Sequence, residues 1–209
     1  LPLDIWVVQY ELLSIPDIRA GKEAFLAAGK EVWGYHCVGP EDPLNLNTFL
    51  DVPPAKGRLI PWLAQSEELS GWLYWYTNWG MRHSDSATDR GVNRTVPTPE
   101  LDMYGRSTYV AAIGTPSDGH FSNEDGNLVY AGIEGPLSSQ RLENLKMGME
   151  DRALLGLLPH NVSVALAKRL AGGPADYSVD PALLEIVRRE AARLVGVQTA
   201  EGCTGADLF

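Results

Sequence analysis

Four aromatic or amide side chains lie together where an apolar run of this sequence gives way to a long polar stretch. The run from Gly71 to Trp79 (GWLYWYTNW) holds three of the six tryptophans, a density typical of a buried strand. Trp75, Tyr76, Asn78 and Trp79 lie at its end, which in a parallel α/β sheet is the end that faces a ligand. Aromatic faces can stack on the C–H face of a sugar ring, and amide and hydroxyl groups can bind its rim. The pattern predicts a sugar-binding wall, and the alternative is that these aromatics only pack in the core of an α/β domain.

Tyr35 ends an earlier strand-like run (EVWGYHC) and is a further candidate to bind a hydroxyl group. Its alternative role is core packing with its own hydroxyl satisfied. His36 alternates with Tyr35 and is expected to be buried or to face a helix rather than to act in catalysis. Because side chains alternate along a strand, Trp75 and Tyr76 point to opposite faces, so at most one of them faces the ligand. Trp75 is favoured as the residue that faces the ligand, because it and Trp79 are an even number of residues apart and would point to the same face.

Composition argues against two classes of partner. The 209 residues carry a net charge of −10 at pH 7, whereas nucleic-acid binding requires clustered Lys and Arg. No run of about 18 apolar residues is present, so no membrane-spanning helix is expected. The sequence contains neither a phosphate-binding loop nor a dinucleotide fingerprint, and no cofactor is expected.

Metal binding is also not expected. His83, Asp85 and Asp89 are metal-ligating types in the polar stretch, but they match no recognised ligand pattern. Cys37 and Cys203 are too far apart for a zinc motif, and Cys37 is expected to be a small packed residue. A disulfide between the two cysteines is left open, and with it the redox compartment.

The elements alternate strand, helix, strand, helix, strand, which predicts parallel strands joined by right-handed crossovers. A long irregular stretch (80–125) precedes a short fourth strand at Gly126–Tyr130, and Ser138 or Ser139 begins a long helix. The other predicted elements are strands at 4–10, 31–37 and from 71, and helices at 15–28, 51–69, 161–171 and 181–195.

The fold class expected is α/β, and the four strands resemble the C-terminal half of a β/α (TIM-type) barrel followed by helices. We expect barrel sequence in 1–158, helices that pack on it in 159–197, and a tail in 198–209. Half a barrel leaves open strand edges, so an N-terminal half or an oligomeric partner is expected. The first residues contain no initiating Met and no basic segment, which favours a fragment or a processed chain.

Five segments, in this order, resemble the C-terminal half of the catalytic domain of glycoside hydrolase family 123 and of related uncharacterised bacterial proteins. The resemblance covers about residues 3 to 158. The segments are Asp4–Val7; Gly29–Tyr35 with Cys37 and Pro40; Asn47–Asp51 with Arg58 and Trp62; Gly71–Trp75 with Asn78 and Trp79; and Asp125–Tyr130 followed by Ser139–Glu143 and Gly148–Asp151.

The resemblance implies a β/α barrel that hydrolyses β-linked N-acetylgalactosaminides with retention. In the implied mechanism the substrate's acetamido oxygen attacks the anomeric carbon, an Asp orients the acetamido group, and an adjacent Glu acts as acid and then as base. It also implies a carbohydrate as the partner. Enzymes that degrade polysaccharides are often exported from bacteria, which favours a periplasmic or extracellular location.

The sequence departs from this family at the catalytic pair. It contains no Asp-Glu dipeptide, and Glu41-Asp42, Glu124-Asp125 and Glu150-Asp151 have the reverse order. No catalytic residue is therefore identified in these residues, and the pair is expected upstream. The alternative is a non-catalytic carbohydrate-binding or structural barrel protein. A third hypothesis is another type of α/β enzyme, but the sequence contains neither a nucleophile elbow nor a set of metal ligands to support it.

What remains would form the other wall of the pocket. The resemblance implies that Tyr35 binds a sugar hydroxyl or the acetamido oxygen, and that Trp75 and Trp79 stack on the ring or enclose its N-acetyl methyl group. Tyr76 and Asn78 would donate to hydroxyl groups. On the long helix, Arg141, Glu143, Glu150 and Asp151 either hold the helix to the barrel or, by default, form a solvated face.

Overall fold

The computed structural model describes residues 3–37, 42–50, 52–75, 77, 126, 128–130 and 136–202. Within them the fold is mixed α/β, with one small parallel sheet and five α-helices. The strands are β1 (Ile5–Gln9), β2 (Glu31–His36), β3 (Gly71–Tyr74), β4 (Val129–Tyr130), β5 (Leu137–Ser138), β6 (Ala171–Gly173) and β7 (Asp176–Tyr177). The helices are a 3-10 helix (Tyr10–Ser14), α1 (Pro16–Ala27), α2 (Ala55–Ser66), α3 (Gln140–Leu155), α4 (His160–Lys168) and α5 (Pro181–Gly202).

The first three strands form a parallel sheet in the order β1-β2-β3, which confirms the parallel pairing predicted from the alternation of strands and helices. Gln9 lies opposite Tyr35, and Tyr35 lies opposite Leu73. The carboxyl ends of the three strands therefore meet at one edge of the sheet, at the level of these residues.

The predicted fourth strand does not join this sheet. Val129–Tyr130 pairs antiparallel with Leu137–Ser138 as a separate two-stranded sheet. The sequence predicts a fourth strand here but not its partner, because periodicity alone cannot identify a strand's pairing partner. No closed barrel is formed by the residues that the structure describes.

The sheet has one face covered by helices and one open face. On the covered face Trp6 packs edge-on against Phe25 of α1, and Val8 and Val32 are buried with residues of α2. On the open face, defined here by Ile5, Val7, Gln9, Trp33, Tyr35, Leu73 and Trp75, Ile5 and Val7 are each 42% exposed and Leu73 is 38% exposed. Ile5 and Val7 on β1 and Leu73 on β3 thus remain half in solvent on one side of a well-packed sheet.

Glycines let two tryptophans lie flat across neighbouring strands. A Cβ at Gly71 would lie 2.5 Å from the Trp33 ring on the open face. A Cβ at Gly34 would lie 2.5 Å from the Trp72 ring, which packs against both hydrophobic cores on the covered face. The aromatic density read from the sequence is therefore divided between the two faces.

Helix α2 lies at the centre of the helical layer. Its residues Leu59, Ile60, Trp62 and Leu63 are almost fully buried in the larger core, which also includes residues of α3, α4 and α5. Helix α3 approaches α2 through Gly148, where a Cβ would lie 2.3 Å from the carbonyl oxygen of Arg58. This close approach is possible because glycine has no side chain.

The helix boundaries agree with most of the predictions. Ser139 caps α3, its Oγ accepting a hydrogen bond from the backbone N of Leu142 at 3.1 Å, as its position before an apolar stripe predicted. The segment between the last two predicted helices contains a small hairpin of β6 and β7, which the sequence did not reveal. Helix α5 continues to Gly202, beyond its predicted end at Val195 and into the predicted tail.

The chain leaves the carboxyl end of β3 and returns to the same place. The carbonyl oxygen of Thr77 accepts hydrogen bonds from the backbone N of Leu128 at 2.7 Å and of Val129 at 3.0 Å. The backbone N of Gly126 donates to the hydroxyl of Tyr74.

Among the described residues, no helix is long and apolar enough to cross a lipid bilayer.

Candidate functional site

The candidate site is the carboxyl-end half of the open face. Tyr35, the penultimate residue of β2, is half-buried there, between Gln9 and Leu73 in the strand register. Trp75 directly follows β3 and is also half-buried. Trp75 lies one residue beyond β3, and continuing the alternation of that strand would place it on the face of Leu73 and Tyr35. Of the predicted site residues, Tyr76, Asn78 and Trp79 lie outside the described part of the chain, as do His83, Asp85, Asp89 and Cys203.

The open face changes character along its strands. At the amino end and in the middle, β1 carries the apolar side chains of Ile5 and Val7. At the carboxyl end the face carries the amide of Gln9, on the same level as the phenol of Tyr35 and the apolar Leu73, with Trp75 beyond. Binding sites in parallel α/β folds lie at the carboxyl ends of strands, whereas the opposite end serves stability. The polar and aromatic end is therefore the part of this face that is suited to a ligand.

Motif residues from the loop after β2 hold the carboxyl end of β2 in place. Asn47 is fully buried, and its Nδ2 donates to the carbonyl oxygen of Cys37 at 2.8 Å while its Oδ1 accepts from the backbone N of Thr48 at 2.8 Å. The guanidinium of Arg141 donates to the carbonyl oxygen of Thr48 at 3.3 Å, which ties this loop to α3. The Sγ of Cys37 accepts from Nε2 of Gln9 at 3.4 Å. The side chain of Cys37 is thus packed against its neighbour strand.

His36 is buried on the covered face, as predicted. It is 1% exposed, stacks on Tyr74 at 4.3 Å between ring centroids, and its Nδ1 accepts a hydrogen bond from the Trp72 indole at 2.6 Å. Its Nε2 has no hydrogen-bond partner among the described residues. Burial lowers the pKa of His36 to about 3, because an imidazolium would lose its hydration. The ring is therefore neutral at ordinary pH and does not suit acid–base chemistry.

Glu11 is a titratable group at the strand ends that sequence reasoning missed. It lies in the 3-10 helix that follows β1, and one carboxyl oxygen, Oε2, is buried without a hydrogen-bond partner among the described residues. Burial raises the pKa of this carboxyl above its usual value. Because the effect arises from burial and not from residue spacing, the sequence contained no signal for it.

Asp151 is the centre of a buried charge cluster. The residue is 2% exposed. It accepts hydrogen bonds from Arg58 at 2.8 and 3.1 Å, from the Trp62 indole at 3.2 Å and from Arg188 at 2.8 Å. These donors come from α2 and α5, so one carboxylate joins three helices.

The default expectation of a solvated helix face is wrong for Asp151 and Arg141, because both side chains are buried against other elements. Their burial agrees with the other expectation, that they hold this helix to the rest of the fold. Glu143 and Glu150 on the same helix are exposed.

A second buried charge cluster joins α1 to the end of α2. Glu67 binds Arg19 at 2.9 and 3.0 Å and the Nζ of Lys22 at 2.7 Å. Burial alone would raise the pKa of Glu67, but the hydrogen bonds from Arg19 and Lys22 lower it below its usual value. Both clusters are fully paired and lie on the covered side of the sheet, so we assign them a structural role.

The described residues include no group of three or more His, Cys, Asp or Glu that could hold a metal ion.

Comparison with known families agrees with the resemblance read from the sequence. A family model, described as the catalytic domain of glycoside hydrolase 123, matches residues 12–158. The match includes Tyr35, Trp75, the Asn47 loop and the buried Asp151. The match ends at Leu158, and α4, α5 and the β6–β7 hairpin follow it. No curated protein matches the sequence significantly.

Proposed function

Because the chain belongs to the glycoside hydrolase 123 family by its catalytic domain, we propose that it supplies one sugar-binding wall of an enzyme that cleaves β-linked N-acetylhexosaminides. The observation that carries the proposal is the carboxyl end of the open face. Tyr35 and Trp75, which come from different strands, lie at the sheet edge where α/β folds bind ligands.

Each side chain of this wall has a role suited to its chemistry. Trp75 stacks on the apolar C–H face of the sugar ring or encloses the N-acetyl methyl group. The hydroxyl of Tyr35 binds a ring hydroxyl or the acetamido oxygen. We further propose that Asn78 contributes its amide as a donor and Trp79 its indole as a second stacking surface, with the Tyr76 phenol as the alternative to Trp75, since alternation lets at most one of those two face the sugar.

The proposed chemistry is substrate-assisted retention. The acetamido oxygen attacks the anomeric carbon while a Glu protonates the leaving oxygen, and an adjacent Asp orients the acetamido group. Water then opens the cyclic intermediate with the same Glu as base. Since the 209 residues contain no Asp-Glu dipeptide, we propose that this pair comes from polypeptide upstream of Leu1 and faces the wall described here.

The same proposal accounts for the exposed apolar part of the open face. In a β/α barrel the side chains of this face fill the interior in layers. Ile5, Val7 and Leu73 lie at three successive levels and would each contribute to a different layer once further strands close the sheet, which also removes the open edges of β1 and β3. An N-terminal half of the barrel or an oligomeric partner would supply those strands.

The decisive experiment is isothermal titration of the chain, alone and together with the upstream half, with N-acetylgalactosamine, its thiazoline and glucose. The thiazoline imitates the cyclic intermediate and should bind most tightly, with glucose weakest. Trp75→Ala should abolish binding and Tyr35→Phe should weaken it. Trp33→Phe, on the same face but at its amino end, is the matched control and should bind like wild type. Equal affinity for glucose, or no binding by the folded assembly, would overturn the proposal.

A second candidate is a carbohydrate-binding protein without catalysis, and the missing Asp-Glu dipeptide favours it. It predicts the same binding profile but no turnover. A chromogenic β-N-acetylgalactosaminide added to the assembly decides between the two, because release of the chromophore requires the acid–base pair. Turnover that disappears when the upstream Asp-Glu pair is replaced by Asn-Gln would reject the non-catalytic candidate.

A further inference from the structure

We infer that Gln9 is a further sugar-binding residue, whose carboxamide recognises a hydroxyl group of the ring that stacks on Trp75. The inference rests on the proposed function, since it extends the same wall onto β1. No motif in the sequence indicated Gln9, and it lies three residues before the matched part of the family model.

The position of Gln9 supports this assignment. It is the last residue of β1, is half-buried, and lies opposite Tyr35 in the strand register. The two preceding residues on the same face of this strand, Ile5 and Val7, are apolar. The change from apolar side chains to a carboxamide therefore occurs at the level of Tyr35, at the end of the sheet suited to a ligand.

The hydrogen bonds of Gln9 leave most of its capacity unused. Its Nε2 donates to the Cys37 thiol at 3.4 Å, a long contact with a weak acceptor. A carboxamide has a second N–H and two lone pairs on its oxygen, and the described residues bind neither. One donor and one acceptor are thus available on the open face, which is the pattern needed to bind a hydroxyl group that both donates and accepts.

Cys37 and Asn47 fix the direction of this amide. The buried Asn47 side chain binds the Cys37 carbonyl, and both ends of its own amide are occupied. The Cys37 thiol then takes one N–H of Gln9, which orients the rest of the carboxamide. A side chain held in this way loses less conformational freedom when it binds a ligand. Asn47 and Cys37 are therefore positioning residues, and Gln9 makes the contact.

The first test is titration of wild type, Gln9→Leu and Gln140→Leu with N-acetylgalactosamine, in the assembly used for the proposed function. Gln140→Leu, on the exposed start of α3, is the matched control. We expect roughly three- to tenfold weaker binding in Gln9→Leu, which corresponds to one hydrogen bond, and no change in the control. Wild-type affinity in a folded Gln9→Leu would overturn this inference and leave the proposed function standing.

The second test separates a direct contact from a change in packing. The 3-, 4- and 6-deoxy analogues of the sugar are titrated against wild type and Gln9→Leu. If Gln9 binds one of these hydroxyls, removal of that hydroxyl weakens wild-type binding, and Gln9→Leu then loses nothing more on the same analogue. Equal further losses on all three analogues would show that Gln9 touches none of these hydroxyls and would overturn the inference.

A third measurement needs no variant. A sugar bound to Gln9 covers the adjacent Cys37 thiol. Saturating N-acetylgalactosamine should therefore slow the alkylation of Cys37 by iodoacetamide severalfold. Mass spectrometry of the Cys37 peptide measures the alkylation rate. An unchanged rate in a protein that binds the sugar would contradict the contact. Failure of the wild-type assembly to bind any sugar would reject the proposed function and this inference together.

Discussion

The two faces of the parallel sheet use similar residues in opposite ways. On the covered face the Trp72 indole binds His36, and in the helical layer packed on that face Asp151 and Glu67 receive several donors each. On the open face, apolar side chains are half exposed and the Gln9 amide has spare hydrogen-bonding capacity. The comparison indicates that stability resides in the helical side, while the open side is the one for which we propose ligand binding.

This division explains why charge alone does not mark function in this chain. Asp151 is a buried carboxylate in a family of hydrolases, yet its two arginines and one indole satisfy it completely. A catalytic carboxyl must contact the substrate, whereas both oxygens of Asp151 are already occupied by protein donors. If this difference between the two sides holds, mutations on the helical side should lower the free energy of unfolding more than mutations on the open face.

Removal of the Asp151 carboxylate should cause the largest loss in the free energy of unfolding. Asp151→Ala leaves Arg58 and Arg188 without their shared partner between three helices, and we expect a loss of about 3–5 kcal/mol in the free energy of unfolding. Urea denaturation at pH 7 measures it. The neighbouring, exposed Glu150→Ala is the control and should change stability by less than about 0.5 kcal/mol. Equal effects of the two variants would contradict the structural role of the cluster.

Acid should destabilise the fold through His36. Its pKa is lowered from 6.5 to about 3 by burial. Between these values the unfolded chain binds a proton that the folded chain does not, so stability is lost as the pH falls from about 6.5 toward 3. The contribution to the slope is up to about 1.4 kcal/mol per pH unit.

Unfolding free energies of wild type and His36→Gln at pH 7, 6, 5 and 4 isolate this contribution, because Gln keeps an acceptor for Trp72 and cannot titrate. We expect a shallower slope in His36→Gln than in wild type. Parallel curves for wild type and His36→Gln would show that His36 is not kept neutral in the folded state.

A methyl group at the α2–α3 contact should have an intermediate effect. Gly148→Ala places a Cβ 2.3 Å from the Arg58 carbonyl oxygen, which forces the helices apart. We expect a loss of about 1–3 kcal/mol, measured as a shift of the urea midpoint. Gly196→Ala in α5, where a Cβ meets nothing within 4 Å, is the control and should stabilise by about 0.5–1 kcal/mol. A neutral Gly148→Ala would mean that the helical layer is loosely packed.

The smallest effect is expected on the open face. Val7 is 42% exposed and the adjacent Val8 is 4% exposed, so the two differ in the face they occupy. Val7→Thr should change the free energy of unfolding by less than about 0.5 kcal/mol, and Val8→Thr should cost about 1–3 kcal/mol. A large loss in Val7→Thr that grows with protein concentration would show that a second copy covers the open face.

Much of the covered side was predictable from the sequence, because local signals specify it. Ser139 before an apolar stripe gave the start of α3, and the strand–helix alternation gave the parallel pairing. The partners of Asp151 were not predictable, since Arg58 and Arg188 lie 93 and 37 residues away along the chain. The antiparallel pairing of Val129–Tyr130 was missed for the same reason, because pairing is a tertiary property.

For the candidate site, the sequence indicated the aromatic residues but not their amide neighbour. Tyr35 and Trp75 were identified by residue type at a strand end, and His36 was correctly set aside by alternation. Gln9 gave no signal, because a single glutamine at the end of an apolar run is ordinary. Only the register that sets it opposite Tyr35, and the thiol that orients it, distinguish it.

The hydrogen bonds from Leu128 and Val129 to Thr77 close the chain on itself at the carboxyl end of β3. Residues 80–125 can therefore be exchanged as a unit that leaves Asn78 and Trp79 in place, because the hydrogen bonds that join its two flanks do not depend on its length. The entropic penalty of a longer insert grows only as the logarithm of its length, about 0.6 kcal/mol for each doubling. Evolution, or an engineer, can thus change the chain bordering the sugar wall while the three strands keep their register.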